Sequence, residues 1–453
     1  MSPRAAPAPR ISFLAHEPAV ARRGGDAARR SGGAGYAVAE QAAAVRRFLA
    51  APARAGSAPL TILCPGTRGP ARVAPAEGVV TFDAPAGSLD DLAERYVADP
   101  AWRRRFDALL GDAPVLAHHL PAARVTTSLG RPTLVALHSL WPSVQAEVAG
   151  GPPGPRAAAC AALLEDAAAV LVATAAERDA LLRTAPASAR ARDLAARVHV
   201  VPQAPSPFLV RLAARGGLAR RRAAWRRRLV PRAAADDVVL YAVGRLVPYK
   251  RPLEVIEAFV RVASSVPRAH LLVVGPATDP GYAARCADAA RAAPPDVAAR
   301  IVLAGPQRLE AAPLAGDVLV HASRFESWGR AVDEALVLGR PAVLAPSPFV
   351  AERVEGRRPP GLAVPDAGPP SPEGPLWADP DAPAALDAAL VRAATDAAWR
   401  RACGAAHRAR AQALAGDRPV RALLTVWNDV EHAYRGTRPF VLDAPGTPPC
   451  AST

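Results

Sequence analysis

The chain has 453 residues, a hydrophobic content of 51% and a formal charge of +15. That length exceeds what one ordinary core organises and implies two domains, with room for a third, and no apolar run approaches the length of a bilayer-spanning helix. The positive balance admits nucleic acid, an anionic membrane or a phosphorylated substrate as partner.

A proline-rich start, 1–10, precedes an apolar run at 11–15 that is too short for a signal peptide and reads as a buried strand. A basic loop ends in Gly32-Gly33-Ala34-Gly35, and Val38, Ala42, Val45 and Leu49 then recur at helical spacing across 36–50. Strand, glycine loop and helix together aim backbone N–H groups at an anion. Glycine turns before helices are also common for purely structural reasons. Further strands are expected at 61–64, 79–83, 115–117, 133–137, 169–173 and 198–201, with helices at 89–97, 101–110, 157–166 and 175–183. Short apolar strands alternating with helices imply a parallel sheet covered on both faces. Ligands gather at the carboxyl ends of such strands, where His118, His119, His138 and Ser139 stand.

The segment 206–235 holds nine arginines and no acid. It reads as a solvated linker helix. A membrane-surface helix, with Leu218, Trp225 and Leu229 toward lipid, is the alternative. A second alternation follows. Strands are expected at 238–243, 270–275, 300–304, 318–321, 342–345 and 361–364. Helices are expected from Pro252 to about 265 and at 281–293, 329–338, 382–394 and 398–415. The last helix, 419–434, puts Val420, Leu423, Leu424, Trp427 and Val430 on one face. Cys64, Cys160, Cys286, Cys403 and Cys450 show neither pairing nor metal spacing, as expected of a reducing compartment, so a cytoplasmic protein is expected.

Two charged half-sites stand out. The first is Gly244-Arg245, followed after four residues by Lys250, the single lysine among 56 Lys and Arg. A compact ammonium is not interchangeable with a planar guanidinium. The second is Glu326 and Glu334, eight positions apart, with Gly329 between them where a loop becomes a helix. Singly, each could be a surface charge; in this order, on these elements, they carry weight.

With Asp317-Val318-Leu319-Val320-His321-Ala322-Ser323 just before Glu326, these motifs resemble family 4 retaining glycosyltransferases, the glycogen-synthase-like and mannosyltransferase-like group 1 enzymes. The first half is similar more loosely, through Gly32-Gly33, the strand leading to His138, and the stretches 167–181 and 198–203. The resemblance implies an α/β chain of GT-B fold: two Rossmann-like, doubly wound domains facing across a cleft. It implies a UDP- or GDP-sugar donor and retention of configuration, with no metal and no cofactor. Arg245 and Lys250 would grip the diphosphate with the amides of Gly329, Arg330 and Ala331. Glu326 would hold hydroxyls of the donor sugar, and Glu334 those of the ribose. His138 would stand beside the sugar, and Gly32 and Gly33 would form the glycine loop of the first domain. The chemistry agrees, because cations at a leaving diphosphate stabilise the transition state more than the ground state.

Two departures stand against the resemblance. Pro346-Ser347-Pro348 replaces a glycine-rich turn, and an arginine-rich insertion spans 22–30. Asp379-Pro380-Asp381 reads as an N-cap turn rather than a metal site. The expected division is 1–207, acceptor-side domain; 208–235, basic linker; 236–416, nucleotide-sugar domain; 417–436, a helix crossing back; and 437–453, a loose tail. The acceptor is left open, peripheral contact with an anionic membrane stays admissible, and nucleic acid is not expected, since aromatics are only 5%. The alternative function is a catalytically silent GT-B binder of nucleotide sugars.

Overall fold

The computed structural model describes residues 163–185, 193–355 and 373–435 and, before these, the strands of the first half with a few residues beside them. The expected helices at 36–50 and 89–110 fall almost wholly outside the described residues, and the strand at 361–364 entirely so.

The first sheet has eight strands: β1 (Ile11–Leu14), β2 (Leu60–Gly66), β3 (Arg72–Ala74), β4 (Val79–Asp83), β5 (Val115–His118), β6 (Thr133–Ala136), β7 (Ala169–Val172) and β8 (Val198–Val200). Their order is β3-β4-β2-β1-β5-β6-β7-β8, parallel except for β3 on the edge. β5, β6 and β7 are buried at every position, as strands covered on both faces must be.

The second sheet contains β9 (Val238–Val243), β10 (Ala269–Val274), β11 (Ile301–Leu303), β12 (Val318–His321), β13 (Ala342–Leu344) and β14 (Leu376–Trp377). All pairs are parallel, in the order β11-β10-β9-β12-β13-β14. Side-chain alternation splits the core into two layers. Leu240, Leu271, Val273 and Val320 face one layer with Phe259 and Ile256; Val239, Tyr241, Leu272 and Leu319 face the other with Leu336.

The helices are α1 (Ala175–Thr184), α2 (Pro207–Ala214), α3 (Leu218–Leu229), α4 (Pro252–Val262), α5 (Pro280–Ala292), α6 (Arg330–Val337), α7 (Pro348–Glu355), α8 (Pro383–Thr395), α9 (Ala397–Leu414) and α10 (Arg418–Arg435), with shorter turns between. Among the described residues no helix is long and apolar enough to cross a membrane.

The basic segment departs from its expectation as a free linker. Ser206 caps α2 by accepting from the Leu209 N–H, with Pro207 in the first turn. Leu209, Leu212, Leu229 and Val230 then enter the core layer of Tyr241 and Leu336. Arg226, itself buried, and Arg222 both pair with Asp317 at the start of β12. The face assigned to lipid is therefore turned onto protein: Leu229 is buried, and Leu218 and Trp225 pack partly buried on the same layer. Local charge composition was blind to Asp317, which lies about ninety residues downstream.

After β13, where Pro346-Ser347-Pro348 replaces a glycine-rich turn, Pro348 starts α7, a helix not expected from the sequence. α10 buries Val420, Leu423, Leu424 and Trp427. Burial lowers the pKa of His199 in β8, and Asp429 of α10 partly offsets that, which sets this helix beside the first sheet.

Candidate functional site

The second sheet reverses direction between β9 and β12. The chain leaves β9 toward one edge and returns through β12 toward the other, so the loops at their carboxyl ends part and leave a crevice. A small open pocket lies there, lined among others by Gly244, Arg245, Lys250, Pro252, His321 and Ser323.

The β9 side is built by close backbone approach. A Cβ on Gly275, at the end of β10, would stand 1.7 Å from the Gly244 carbonyl, so only glycine fits. Pro248–Lys250 is a single 3-10 turn, and Lys250 folds back over Gly244. Arg251 follows in the left-handed region at φ 55°, which is unfavourable for a long side chain. Its buried guanidinium is held 2.5 Å from Asp381 and 4.0 Å from Asp379. The two aspartates read as an N-cap turn do not cap α8, whose N-cap is Ala382 with no side-chain bond; they anchor this loop instead.

The β12 side supplies the acid. His321 ends the strand with Nε2 3.2 Å from Glu326 Oε1, and Lys250 Nζ pairs with the same oxygen. Burial pushes the Glu326 carboxyl up, but the Lys250 charge and the His321 hydrogen bond override it and hold the group well below the usual carboxylate range. The half-sites are also stitched by backbone, since the Arg324 N–H donates to the Tyr249 carbonyl at 2.8 Å. The exposed Arg245 donates to the Tyr249 hydroxyl and lies 5.6 Å from that ring, as does Lys250 Nζ.

Gly329 caps α6 at φ 69°, a conformation that admits glycine and few others. The turn is clamped from behind. Asp333 accepts from Trp328 Nε1 and Arg353 Nε, each at 2.5 Å, and the Arg353 guanidinium stacks 3.9 Å above the Trp328 ring. Arg330 and Ala331 open the helix, whose N-terminal end is favourable for an anion.

Of the expected residues, the structure brings Arg245, Lys250 and Glu326 together, with Gly329, Arg330 and Ala331 three to five positions on. Glu334 does not line the cavity. It is buried one turn further along, near enough for its charge to oppose ionisation of the Tyr241 phenol. Gly32, Gly33, His119, His138 and Ser139 lie outside the described residues; His118 is buried at the end of β5. Among the described residues no three His, Cys, Asp or Glu side chains gather as a metal site.

Sequence reasoning missed His321, although it stands at a strand's carboxyl end, the criterion that selected His118 and His138. It also missed the Trp328–Asp333–Arg353 clamp, whose third member lies on a helix that was not expected.

Residues 225–366 match the family model described as Glycosyl transferases group 1, which spans less than half of the chain. No curated protein matches the sequence significantly. Among solved structures, the sucrose-phosphate synthase of Thermosynechococcus elongatus is similar over 94% of this chain and 98% of its own, at 18% identity and a TM-score of 0.67. The trehalose-phosphate synthase (UDP-forming) of Burkholderia xenovorans, solved with glucose-6-phosphate, is similar over 93% and 99%, at 13% identity and a TM-score of 0.64. HepE of Anabaena, solved with UDP and glucose, is similar over 94% and 100%, at 16% identity and a TM-score of 0.58. The fold is GT-B, with two Rossmann-like domains, and residues 225–366 are similar to the group 1 glycosyltransferases.

Proposed function

We propose that this protein is a retaining glycosyltransferase that moves a sugar from a nucleotide-sugar donor to a hydroxyl acceptor without a metal ion, in the cytoplasm. The observation that carries the reading is the convergence of Arg245, Lys250, His321 and Glu326 on one crevice at the switch point of the second sheet. A UDP-sugar is favoured, because HepE was solved with UDP and one of the synthases is described as UDP-forming.

In this reading the bond between the anomeric carbon and the diphosphate breaks, and its electron pair leaves on phosphate oxygen. Arg245 offers a planar fork and Lys250 a point charge to those oxygens. The amide end of α6 adds its dipole. Glu326, ionised because Lys250 and His321 hold it so, accepts hydrogen bonds from sugar hydroxyls. The diphosphate draws Lys250 partly away from Glu326 and leaves that carboxylate to the sugar. The acceptor oxygen attacks from the face the diphosphate leaves, and its proton passes to the departing phosphate.

The test is a panel of UDP-, GDP- and ADP-sugars with EDTA present, scored for binding and slow nucleotide release. One donor should bind and be slowly hydrolysed, and Lys250→Ala should lose both. Failure of every donor to bind overturns the reading.

A further inference from the structure

The loop carrying Glu326 is hydrogen-bonded to a described side chain of the first domain. Ser327, next in the chain, donates its hydroxyl to Glu177 Oε2 on α1 at 3.2 Å, across 150 residues of sequence. We infer that Glu177 is a positioning residue through which the first domain holds the donor loop in place. This rests on the transferase reading of the crevice.

The local sequence explains why Glu177 is free to do so. In Thr174-Ala175-Ala176-Glu177 the Thr174 side chain accepts from the Glu177 N–H at 3.1 Å and fixes the start of α1. A glutamate at this position commonly reaches back to the capping residue's own N–H. Here its Oε2 accepts instead from the Ala173 N–H, at 3.0 Å, and from Ser327. Both Glu177 and Ser327 are buried. The contact is answered in reverse within the same helical turn. Glu352 of α7, in the second domain, accepts from the Ala175 and Ala176 N–H groups at 2.9 and 2.8 Å. These are first-turn amides of α1, where the helix dipole favours an anion. One carboxylate thus crosses in each direction. Because Trp328 is clamped to Asp333 and Arg353, a pull on Ser327 is not absorbed by its carboxyl side and is transmitted to Glu326.

The surroundings of Glu177 add a proton to this linkage. The groups that act on it are the Ala173 amide at the end of β7, Ser327 of the donor loop and, as the charged neighbour, Glu352 of α7. Burial pushes the carboxyl up, to about 7, and the like charge of Glu352 adds to that while the two hydrogen bonds oppose it. Protonation at Oε1 leaves both bonds at Oε2 intact. When the domains part, Glu177 meets water and returns toward its ordinary 4.5. Docking therefore takes up a proton. It is favoured at acid pH, weakens as pH rises from about 4.5 to about 7, and levels off above.

The experiment measures donor affinity from about pH 5 to pH 8 in the full-length protein and in Glu177→Gln, Glu177→Ala and Ser327→Ala. Small-angle scattering without donor follows domain separation in parallel. Wild type should lose affinity and expand as pH rises, while Glu177→Gln, neutral and of the same shape, should do neither. Glu177→Ala and Ser327→Ala should each cost roughly tenfold in affinity at acid pH, with no further loss when combined. Additive losses, or a Glu177→Gln profile that still follows wild type, overturn the inference, and Ser327→Ala keeps it testable if Glu177→Ala fails to fold. If wild type binds no donor, the transferase reading fails instead, and the pH dependence of the scattering decides whether Glu177 joins the domains.

Discussion

Glu326 stands on the loop that Glu177 meets from the opposite domain; Glu326 is half-buried and Glu177 fully buried, and their protons are held in opposite ways. Glu326 has Lys250 and His321 on one oxygen and stays ionised. Glu177 has a hydroxyl, an amide and a like-charged neighbour, and is pushed up to about 7. Burial acts in the same direction on both. What differs is whether a cation is buried with the carboxylate, and that choice separates a group suited to binding hydroxyls from one suited to sensing closure.

Asp333 extends the comparison to a third carboxylate, which shares its burial with Arg353. Asp333→Ala would strand that guanidinium in the core and should cost about 3–5 kcal/mol, read by urea unfolding. Lys250→Ala would turn the environment of Glu326 toward that of Glu177. Nucleotide release should fall about 100- to 1000-fold, and Lys250→Arg should not restore it, because a planar fork does not replace a point charge there.

Glu177→Gln removes the proton from the other side of the comparison. A carboxyl raised from 4.5 to about 7 costs stability as pH rises through that window. The variant should therefore gain on wild type by about 3 kcal/mol between acid and mildly alkaline pH, measured by unfolding at both. Glu326 has the opposite sign: its contribution is present above its ordinary 4.5 and lost as pH falls below it. Glu352→Ala removes an acceptor from two helix amides and should cost about 1 kcal/mol. Arg228→Ala, on the exposed side of α3, should change stability by less than about 0.5 kcal/mol.

The two half-sites of the crevice could be picked out in the sequence because their parts are local. Gly244, Arg245 and Lys250 lie within one loop, and Glu326 and Gly329 within another, each directly after an apolar strand. The contacts between those loops were legible only through resemblance. What escaped was non-local or disguised: Asp317 reaching back to Arg222 and Arg226, Arg353 on a helix hidden behind prolines, and Glu177, whose motif looks like an ordinary helix start. Composition misled at the basic segment because charge counts do not reveal which side of a helix meets protein.

The strand order has one more consequence. The two half-sites are neighbours only because β9 and β12 pair, while the chain between them travels through β10 and β11 to the far edge and back. That excursion spans α5 and the turn at 294–300, which carry structure and none of the named crevice residues. The wing can therefore lengthen, shorten or exchange its surface over generations while the chemistry stays fixed. The most exposed part of this wing is the short helical turn at 294–296, near the amino end of β11, opposite the carboxyl-end crevice.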